Sequence, residues 1–108
     1  KRNRFGGFKE KAQPQIMFKV VLKPRAEKEF NKLPRNLKQK FFEELQKLSI
    51  SPFSQRIKKL RGTDFGYRFR VGRWRILFAL FGQEKKIEIV DIFLKKGKSD
   101  YSRRLDLF

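Results

Sequence analysis

The sequence predicts an α+β fold. We expect an N-terminal strand, a two-helix hairpin, and a three-stranded antiparallel meander that joins the first strand in one sheet, with one short C-terminal helix allowed. Two observations support this: two apolar stripes with helical spacing come first, and three runs of β-formers with short loops follow. Short loops make neighbouring strands antiparallel, and helices segregated from such a sheet define the α+β class.

The helical hairpin follows a strand predicted at residues 18–23, which are rich in β-branched and aromatic side chains. Pro24 suits the first turn of a helix, and Pro34 ends that helix. Apolar residues recur at helical spacing in both segments, namely Ala26, Phe30 and Leu33 in the first and Leu37, Phe41, Leu45 and Leu48 in the second.

The three remaining strands are predicted at residues 65–71, 74–81 and 86–94. The loop Gly72-Arg73 between the first two predicts a type II′ turn, which pairs Val71 with Trp74 and Arg70 with Arg75. This register gives the hairpin an apolar face toward the helices, made of Tyr67, Phe69, Val71, Trp74, Ile76 and Phe78. It gives the opposite face three arginines, Arg68, Arg70 and Arg75.

Length and composition exclude several classes of protein. The 108 residues suit one domain, predicted at residues 17–108, after a flexible leader or appended segment at residues 1–16. The absence of Cys and His excludes disulfides, a Cys nucleophile, thiolate or imidazole zinc ligands and a His base. We expect no membrane span, because no apolar run reaches the ~20 residues required. A chain without cysteine fits a reducing, cytoplasmic location.

The charge indicates a polyanionic partner. The net charge is +18, of which residues 1–16 supply +4 and residues 17–108 supply +14. Charge alone does not choose among nucleic acid, an anionic membrane and an acidic protein. Between Arg56 and Arg75 there are eight basic residues and only Asp64 as an acid. A charged surface that is merely solvated usually carries both acidic and basic residues, so this imbalance favours a binding site. Each planar guanidinium group on such a face can bind two oxygens of a phosphate.

Four motifs follow one another in the second half of the chain: Leu60-Arg61-Gly62, the run from Tyr67 to Phe78, the run from Ile87 to Phe93, and the basic run that ends in Tyr101. With these motifs, residues 18–104 resemble the RelE/ParE toxin superfamily. The resemblance implies the RelE-like fold. It also implies one of two activities: the RelE branch cleaves messenger RNA, often in the ribosomal A site, and the ParE branch poisons DNA gyrase and lacks the nuclease residues.

The resemblance assigns candidate catalytic residues on the RelE side. Arg68 and Arg70 match the two basic sheet positions, and Arg75 matches the arginine of the next strand. Lys95 falls near the basic position at the end of the last strand, and Tyr101 falls near the C-terminal tyrosine. The other candidate RNA-binding residues are Arg56, Lys58, Lys59, Arg61, Arg73, Lys96, Lys98, Arg103 and Arg104.

The chemistry implied is RNA cleavage without a metal or another cofactor. The carboxylates of Glu84, Glu88, Asp91, Asp100 and Asp106 are scattered and suggest no two-metal cluster. Tyr101 would then take the proton from the ribose 2′-OH, in the positive field of Arg68 and Arg70. Arg75 would stabilise the transition state, and Lys95 would protonate or stabilise the leaving 5′-oxygen. Packing of Tyr101 over the sheet edge is the structural alternative.

The functional prediction is therefore the toxin of a toxin–antitoxin system, a ribosome-dependent endoribonuclease. Its expected partners are a cognate acidic antitoxin of the RelB type and messenger RNA in the ribosomal A site. Two alternatives stay open from the sequence: a ParE-like inhibitor of DNA gyrase, and a basic RNA-binding protein without catalytic activity.

Overall fold

A computed structural model of the protein describes residues 17–108. The predicted leader at residues 1–16 lies outside the described residues. The elements, in chain order, are β1 (Lys19–Leu22), α1 (Pro24–Asn31), α2 (Arg35–Ile50), β2 (Ile57–Lys59), β3 (Gly66–Val71), β4 (Trp74–Phe81), β5 (Lys86–Leu94) and a 3₁₀ helix (Ser102–Leu107).

The two helices form where the apolar stripes predicted them, except that α1 ends at Asn31, so the predicted Leu33 lies in the connection before Pro34. Pro24 occupies the first turn of α1, and Pro34 is the residue that precedes α2. Both prolines suit these places, because the first turn of a helix has no partner for a backbone N–H. The predicted stripes pack into one core, with Ala26, Phe41 and Leu45 almost fully buried.

All five strands lie in one mixed sheet of order β1-β5-β4-β3-β2. The sheet confirms the α+β prediction, including the first strand joining the meander, and β1 runs parallel to β5. β2 was not predicted. It is an edge strand of three residues, Ile57 to Lys59, paired antiparallel with β3, and so short a segment carries no alternating pattern to reveal it.

The β3–β4 hairpin has the predicted register. Val71 pairs with Trp74, Arg70 with Arg75, and Arg68 with Leu77. Gly72 has φ +63°, and a positive φ is what the first central position of a type II′ turn requires. The three arginines therefore lie on the sheet face opposite the helices, as predicted.

The sheet has apolar residues on both faces, and this decides where the C terminus lies. The main core lies between the helices and one face, with Phe69, Ile76 and Phe78 at its centre. A second cluster on the other face contains Leu60, Leu77, Val90 and Phe93 and is covered by Tyr101, Leu105 and Leu107. Covering this apolar patch fixes the C-terminal segment beside the arginines. The short helix allowed by the sequence is the 3₁₀ helix at Ser102–Leu107.

Candidate active site

A cavity of about 340 Å³ opens on the arginine-bearing face of the sheet. We call it the basic cavity. It is lined by Gln55, Arg56, Lys58, Arg68, Arg70, Arg75 and Tyr101. The structure thus brings together four of the five predicted catalytic residues and two of the predicted RNA-binding residues. Gln55 was not predicted, since nothing in the local sequence distinguishes it from an ordinary loop residue.

Strand register places the cations side by side. Lys58 on β2 pairs with Arg68 on β3, and Arg70 on β3 pairs with Arg75 on β4. Like charges directly opposite one another on neighbouring strands destabilise a sheet, by about 0.2–1 kcal/mol per pair. A bound anion would relieve this repulsion, because its negative charge would lie close to both cations of a pair.

Tyr101 is hydrogen-bonded to one of these arginines. Nε of Arg75 donates to the Tyr101 hydroxyl at 3.0 Å. Nη1 of Arg75 donates to the carbonyl oxygens of Gly72, at 3.1 Å, and Trp74, at 2.9 Å. Within residues 17–108, Nη2 of Arg75 has no hydrogen-bond partner. The guanidinium is therefore held in place by the hairpin and keeps one donor group for a ligand.

The ring of Tyr101 is held from several sides. It makes an edge contact with Phe93, at 6.0 Å between ring centroids and 73° between planes. The Arg68 guanidinium lies 5.0 Å from the ring centroid, and the Lys95 ammonium lies 5.4 Å from it. Cations over an aromatic ring contribute about 0.5–1 kcal/mol each at exposed sites. The packing alternative for Tyr101 and the catalytic one are thus compatible, since the packed ring still presents its hydroxyl to Arg75.

Four of the five cations of the basic cavity are not neutralised. Among the residues that the structure describes, no carboxylate lies within ion-pair distance of four of them: Lys58, Arg68, Arg70 and Arg75. Across the same part of the chain, acids pair with lysines and arginines at nine places, and Arg56 is the one cation of the cavity among them. The positive charge of the cavity is therefore available to a ligand, because it is not neutralised by carboxylates of the protein.

Arg56 lines the basic cavity but is engaged by the fold. Its Nη2 donates to Oε1 of Glu44 at 2.6 Å, and its guanidinium lies 4.9 Å from the centroid of the Phe69 ring. Glu44 is a buried carboxylate on α2. The burial of Glu44 could have been predicted from the sequence, because Glu44 follows Phe41 by three residues and so shares the apolar face of the helix.

Lys95 does not line the basic cavity. Its ammonium donates to the carbonyl oxygen of Gly97 and lies 3.7 Å from the Asp100 carboxylate. The structure places it against the Tyr101 ring, so contact with the cavity runs through that tyrosine. The expectation that Lys95 serves the leaving oxygen directly has no support in this arrangement.

Asp100 organises the loop that carries Lys95 and Tyr101. Its Oδ2 accepts the backbone N–H groups of Lys96, at 2.6 Å, and Gly97, at 2.8 Å, and its Oδ1 accepts a bond from Arg103 at 2.9 Å. The N–H of Gly97, then that of Lys96, and then the Arg103 and Lys95 cations hold the pKa of Asp100 well below its usual range. In the sequence, Asp100 is only one of several scattered carboxylates, and no local pattern indicates this role.

Arg104 pairs with a buried carboxylate and does not line the basic cavity. Its Nε donates to Oδ2 of Asp91 at 2.7 Å, and its guanidinium lies 3.8 Å from the centroid of the Phe93 ring. Asp91 is buried in β5 and also pairs with Arg25 of α1 at 3.1 Å. The available signal was an acid in the most apolar part of the strand, between Val90 and Ile92, because a buried carboxylate needs cationic partners.

The other predicted RNA-binding residues lie off the cavity. Lys59 is on the opposite face of β2 from Lys58, where its ammonium donates to the Thr63 carbonyl oxygen and approaches the Tyr67 ring. Arg103 is paired with Asp100. The remaining four are exposed and do not line the cavity: Arg61, Arg73, Lys96 and Lys98.

The described residues offer no ready metal site. Between residues 17 and 108, no group of three or more His, Cys, Asp or Glu side chains could hold a metal ion. In the same part of the chain, no helix is long and apolar enough to cross a membrane.

Comparison with known proteins identifies the family. A family model described as the ParE toxin of the type II toxin–antitoxin system parDE matches residues 20–97. A protein of Methanocaldococcus jannaschii that carries the name toxin RelE1 is 30% identical over an alignment of 85 residues, and the match covers 76% of this chain and 94% of that protein. The chain therefore belongs to the RelE/ParE superfamily of type II toxin–antitoxin toxins.

Solved structures agree with this fold. The archaeal RelE–RelB complex from Pyrococcus horikoshii matches with a TM-score of 0.67 and 23% identity, over 76% of this chain and 99% of the matched chain. The toxin–antitoxin complex RelBE2 from Mycobacterium tuberculosis matches with a TM-score of 0.66 and 21% identity, over 74% and 100%. At this level of identity the agreement concerns the fold alone.

Proposed function

We propose that this toxin is an endoribonuclease that cleaves messenger RNA in the ribosomal A site. The observation that carries the proposal is the Tyr101 hydroxyl bonded to Arg75 in a cavity lined by unneutralised Arg68 and Arg70. A protein that only binds RNA needs cations. It does not need a hydroxyl oriented by one of them, which is the arrangement that proton transfer beside a phosphate requires.

The proposed reaction is attack of the ribose 2′-oxygen on the neighbouring phosphorus. Arg68 and Arg70 bind the phosphate oxygens, and Arg75 stabilises the charge that develops on them in the transition state. Tyr101, as its phenolate, accepts the proton of the 2′-hydroxyl as the bond from the 2′-oxygen to phosphorus forms. The bond from phosphorus to the 5′-oxygen breaks and that oxygen takes up a proton, so the products are a 2′,3′-cyclic phosphate and a 5′-hydroxyl. Lys95 acts through the Tyr101 ring, since its ammonium is held off the cavity by Asp100 and Gly97.

The proposed dependence on the ribosome follows from the chemistry available. A tyrosine is a weak base near neutral pH, so the chemical step needs other help. Attack of the 2′-oxygen requires it to lie in line with the leaving 5′-oxygen, which a relaxed RNA strand rarely achieves. A host that bends the strand would supply the alignment, and the superfamily resemblance points to the A site.

The proposed regulator is an acidic antitoxin of the RelB type. The two matched complexes each pair a RelE with a RelB. Residues 17–108 of this chain carry a net charge of +14, which suits an acidic partner that folds as it binds. Affinity purification of the chain from its native host should recover a small acidic protein. Recovery of the chain without one would contradict this part of the proposal.

The direct experiment is to map new RNA 5′ ends after brief induction of the toxin in growing cells. Wild-type protein should produce 5′-hydroxyl ends within translated codons, and Arg75→Ala should abolish them. Arg73→Ala is the matched control, because Arg73 is an exposed cation of the same hairpin that lies off the cavity. Growth arrest with intact messenger RNA would overturn the proposal.

Inhibition of DNA gyrase is the second candidate function. The matching family model is described as a ParE toxin, and the superfamily resemblance associates that branch with gyrase. The same induced cells distinguish the two candidates through plasmid topology. A gyrase inhibitor relaxes or linearises plasmid DNA and leaves messenger RNA intact, whereas the proposed nuclease leaves supercoiling unchanged at early times.

A further inference from the structure

The proposed reaction needs a proton donor for the leaving 5′-oxygen, and the basic cavity restricts the choice. Four of its seven lining residues are arginines, whose guanidinium groups keep their protons at any accessible pH. The Gln55 amide does not transfer protons, and Tyr101 is occupied with the 2′-hydroxyl. Lys58 is the remaining lining residue, and an ammonium both stabilises negative charge and gives up a proton.

We propose that Lys58 is the general acid that protonates the leaving 5′-oxygen. This inference rests on the proposed nuclease function and adds a catalytic residue to it. No structural feature competes for this ammonium, because none of the described residues forms an ion pair or hydrogen bond with the Lys58 side chain. By contrast, Lys95, which the sequence suggested for this step, is held by Asp100 and Gly97 outside the cavity.

The place of Lys58 in the sheet suits this role. Lys58 is on β2 and pairs with Arg68 on β3, while Arg75, which bonds Tyr101, is on β4. Strands lie about 4.8 Å apart, so β2 and β4 are about 10 Å apart across β3. A phosphate held by Arg68 and Arg70 of β3 would thus have Tyr101 on one side and Lys58 on the other.

An in-line displacement requires a base and an acid on opposite sides of the phosphate, as Tyr101 and Lys58 would be. The attacking 2′-oxygen and the leaving 5′-oxygen stand on opposite sides of phosphorus in the transition state, so the base and the acid must approach from opposite sides. The phenolate form of Tyr101 takes the 2′-hydroxyl proton as the new bond from oxygen to phosphorus forms. The bond from phosphorus to the 5′-oxygen breaks, and Lys58 gives that oxygen a proton and becomes a neutral amine. Exchange with water then restores both side chains.

A sulfur-substituted substrate tests the assignment. Ribosomes are programmed with an RNA cleaved at the codon found by 5′-end mapping, and a second RNA carries sulfur in place of the bridging 5′-oxygen at that linkage. A thiolate leaves without protonation. Lys58→Arg retains the positive charge but supplies no transferable proton. We expect it to cleave the oxygen substrate about 10²–10⁴-fold more slowly than wild type, and the sulfur substrate within about 10-fold of wild type.

Lys59→Arg is the matched control. Lys59 is the next residue of the same strand but lies on the other face, so its variant should cleave both substrates as wild type does. Binding of each variant to the programmed ribosome should stay within a few-fold of wild type, because every charge is retained.

Two results would overturn the role of Lys58 alone: wild-type cleavage of the oxygen substrate by Lys58→Arg, or an equal loss on both substrates. The first would show that no proton from residue 58 is needed. The second would show that Lys58 positions the RNA rather than protonating the leaving group. Failure of the wild-type protein to cleave either RNA on ribosomes would overturn the nuclease function and the role of Lys58 together.

Discussion

Replacing Tyr101 with Phe tests the catalytic interpretation of the basic cavity. The substitution removes one hydroxyl, which accepts the bond from Nε of Arg75 at 3.0 Å. It retains the ring and its contacts with Phe93, Arg68 and Lys95. The fold should therefore survive, and any large loss of cleavage would belong to the hydroxyl itself.

The substitution should have a small effect on stability and a large effect on the cleavage rate. Loss of one hydrogen bond should lower the free energy of unfolding by about 0.5–1.5 kcal/mol. The Arg75 guanidinium retains its bonds to Gly72 and Trp74, so it should stay in place. If Tyr101 is the general base, cleavage should fall by about 10²–10⁴-fold, whereas affinity for the programmed ribosome should stay within a few-fold.

The assay is single-turnover cleavage of a 5′-labelled RNA on programmed ribosomes with the toxin in excess, beside equilibrium binding. Arg75→Lys is the companion variant. It keeps the charge and loses the planar fork, so it should also lower the rate more than the affinity. A mild effect of Tyr101→Phe alone would restrict the tyrosine to packing and leave the nuclease function standing. Wild-type cleavage by both variants would refute the assignment of the active site.

The remaining predictions concern charge. The triple variant Arg68→Ala, Arg70→Ala, Arg75→Ala should reduce the slope of log affinity for single-stranded RNA against log salt by about two units; an unchanged slope would mean that these arginines do not touch phosphate. Arg104→Gln leaves buried Asp91 with the Arg25 cation and the Ile92 N–H but without the Arg104 bond to Oδ2, so urea unfolding should show a loss of about 1.5–3 kcal/mol. The salt slope of this variant should match wild type, and a reduced slope would return Arg104 to the RNA-binding surface. Asp100→Asn should be less stable than wild type near neutral pH. Because folding lowers the pKa of Asp100, this difference should shrink as the pH falls below the ordinary aspartate value of about 3.9. Exposed Asp106→Asn is the control, and a difference that is independent of pH would contradict the ionic role of Asp100.

The order of the elements and the two faces of the β3–β4 hairpin were predictable from local pattern. The spacing of Phe41, Leu45 and Leu48 identifies the buried face of α2, because side chains four residues apart share one face of a helix. The two-residue turn at Gly72 determines the register of the hairpin, since alternate residues of a strand point to opposite faces. These short-range rules were sufficient to place Arg68, Arg70 and Arg75 together.

Contacts between residues that are distant in the chain were determined by tertiary structure alone. The bond between Arg75 and Tyr101 joins residues 26 positions apart, and it forms because the C-terminal segment must cover the apolar patch around Leu77 and Phe93. The ion pairs of Arg56 and Arg104 likewise depend on buried acids contributed by other elements.

The sequence by itself therefore determined that many cations share one region of the chain, and tertiary structure determined which of them are available. The sequence made both Arg68 and Arg104 candidates for contact with RNA, yet Arg68 lines the cavity and Arg104 neutralises Asp91. The physical reason is that a buried carboxylate must be paired, and its choice of partner depends on packing rather than on spacing along the chain. The short edge strand β2, which brings Lys58 to the cavity, depends in the same way on hydrogen bonds to β3 and not on a pattern of its own.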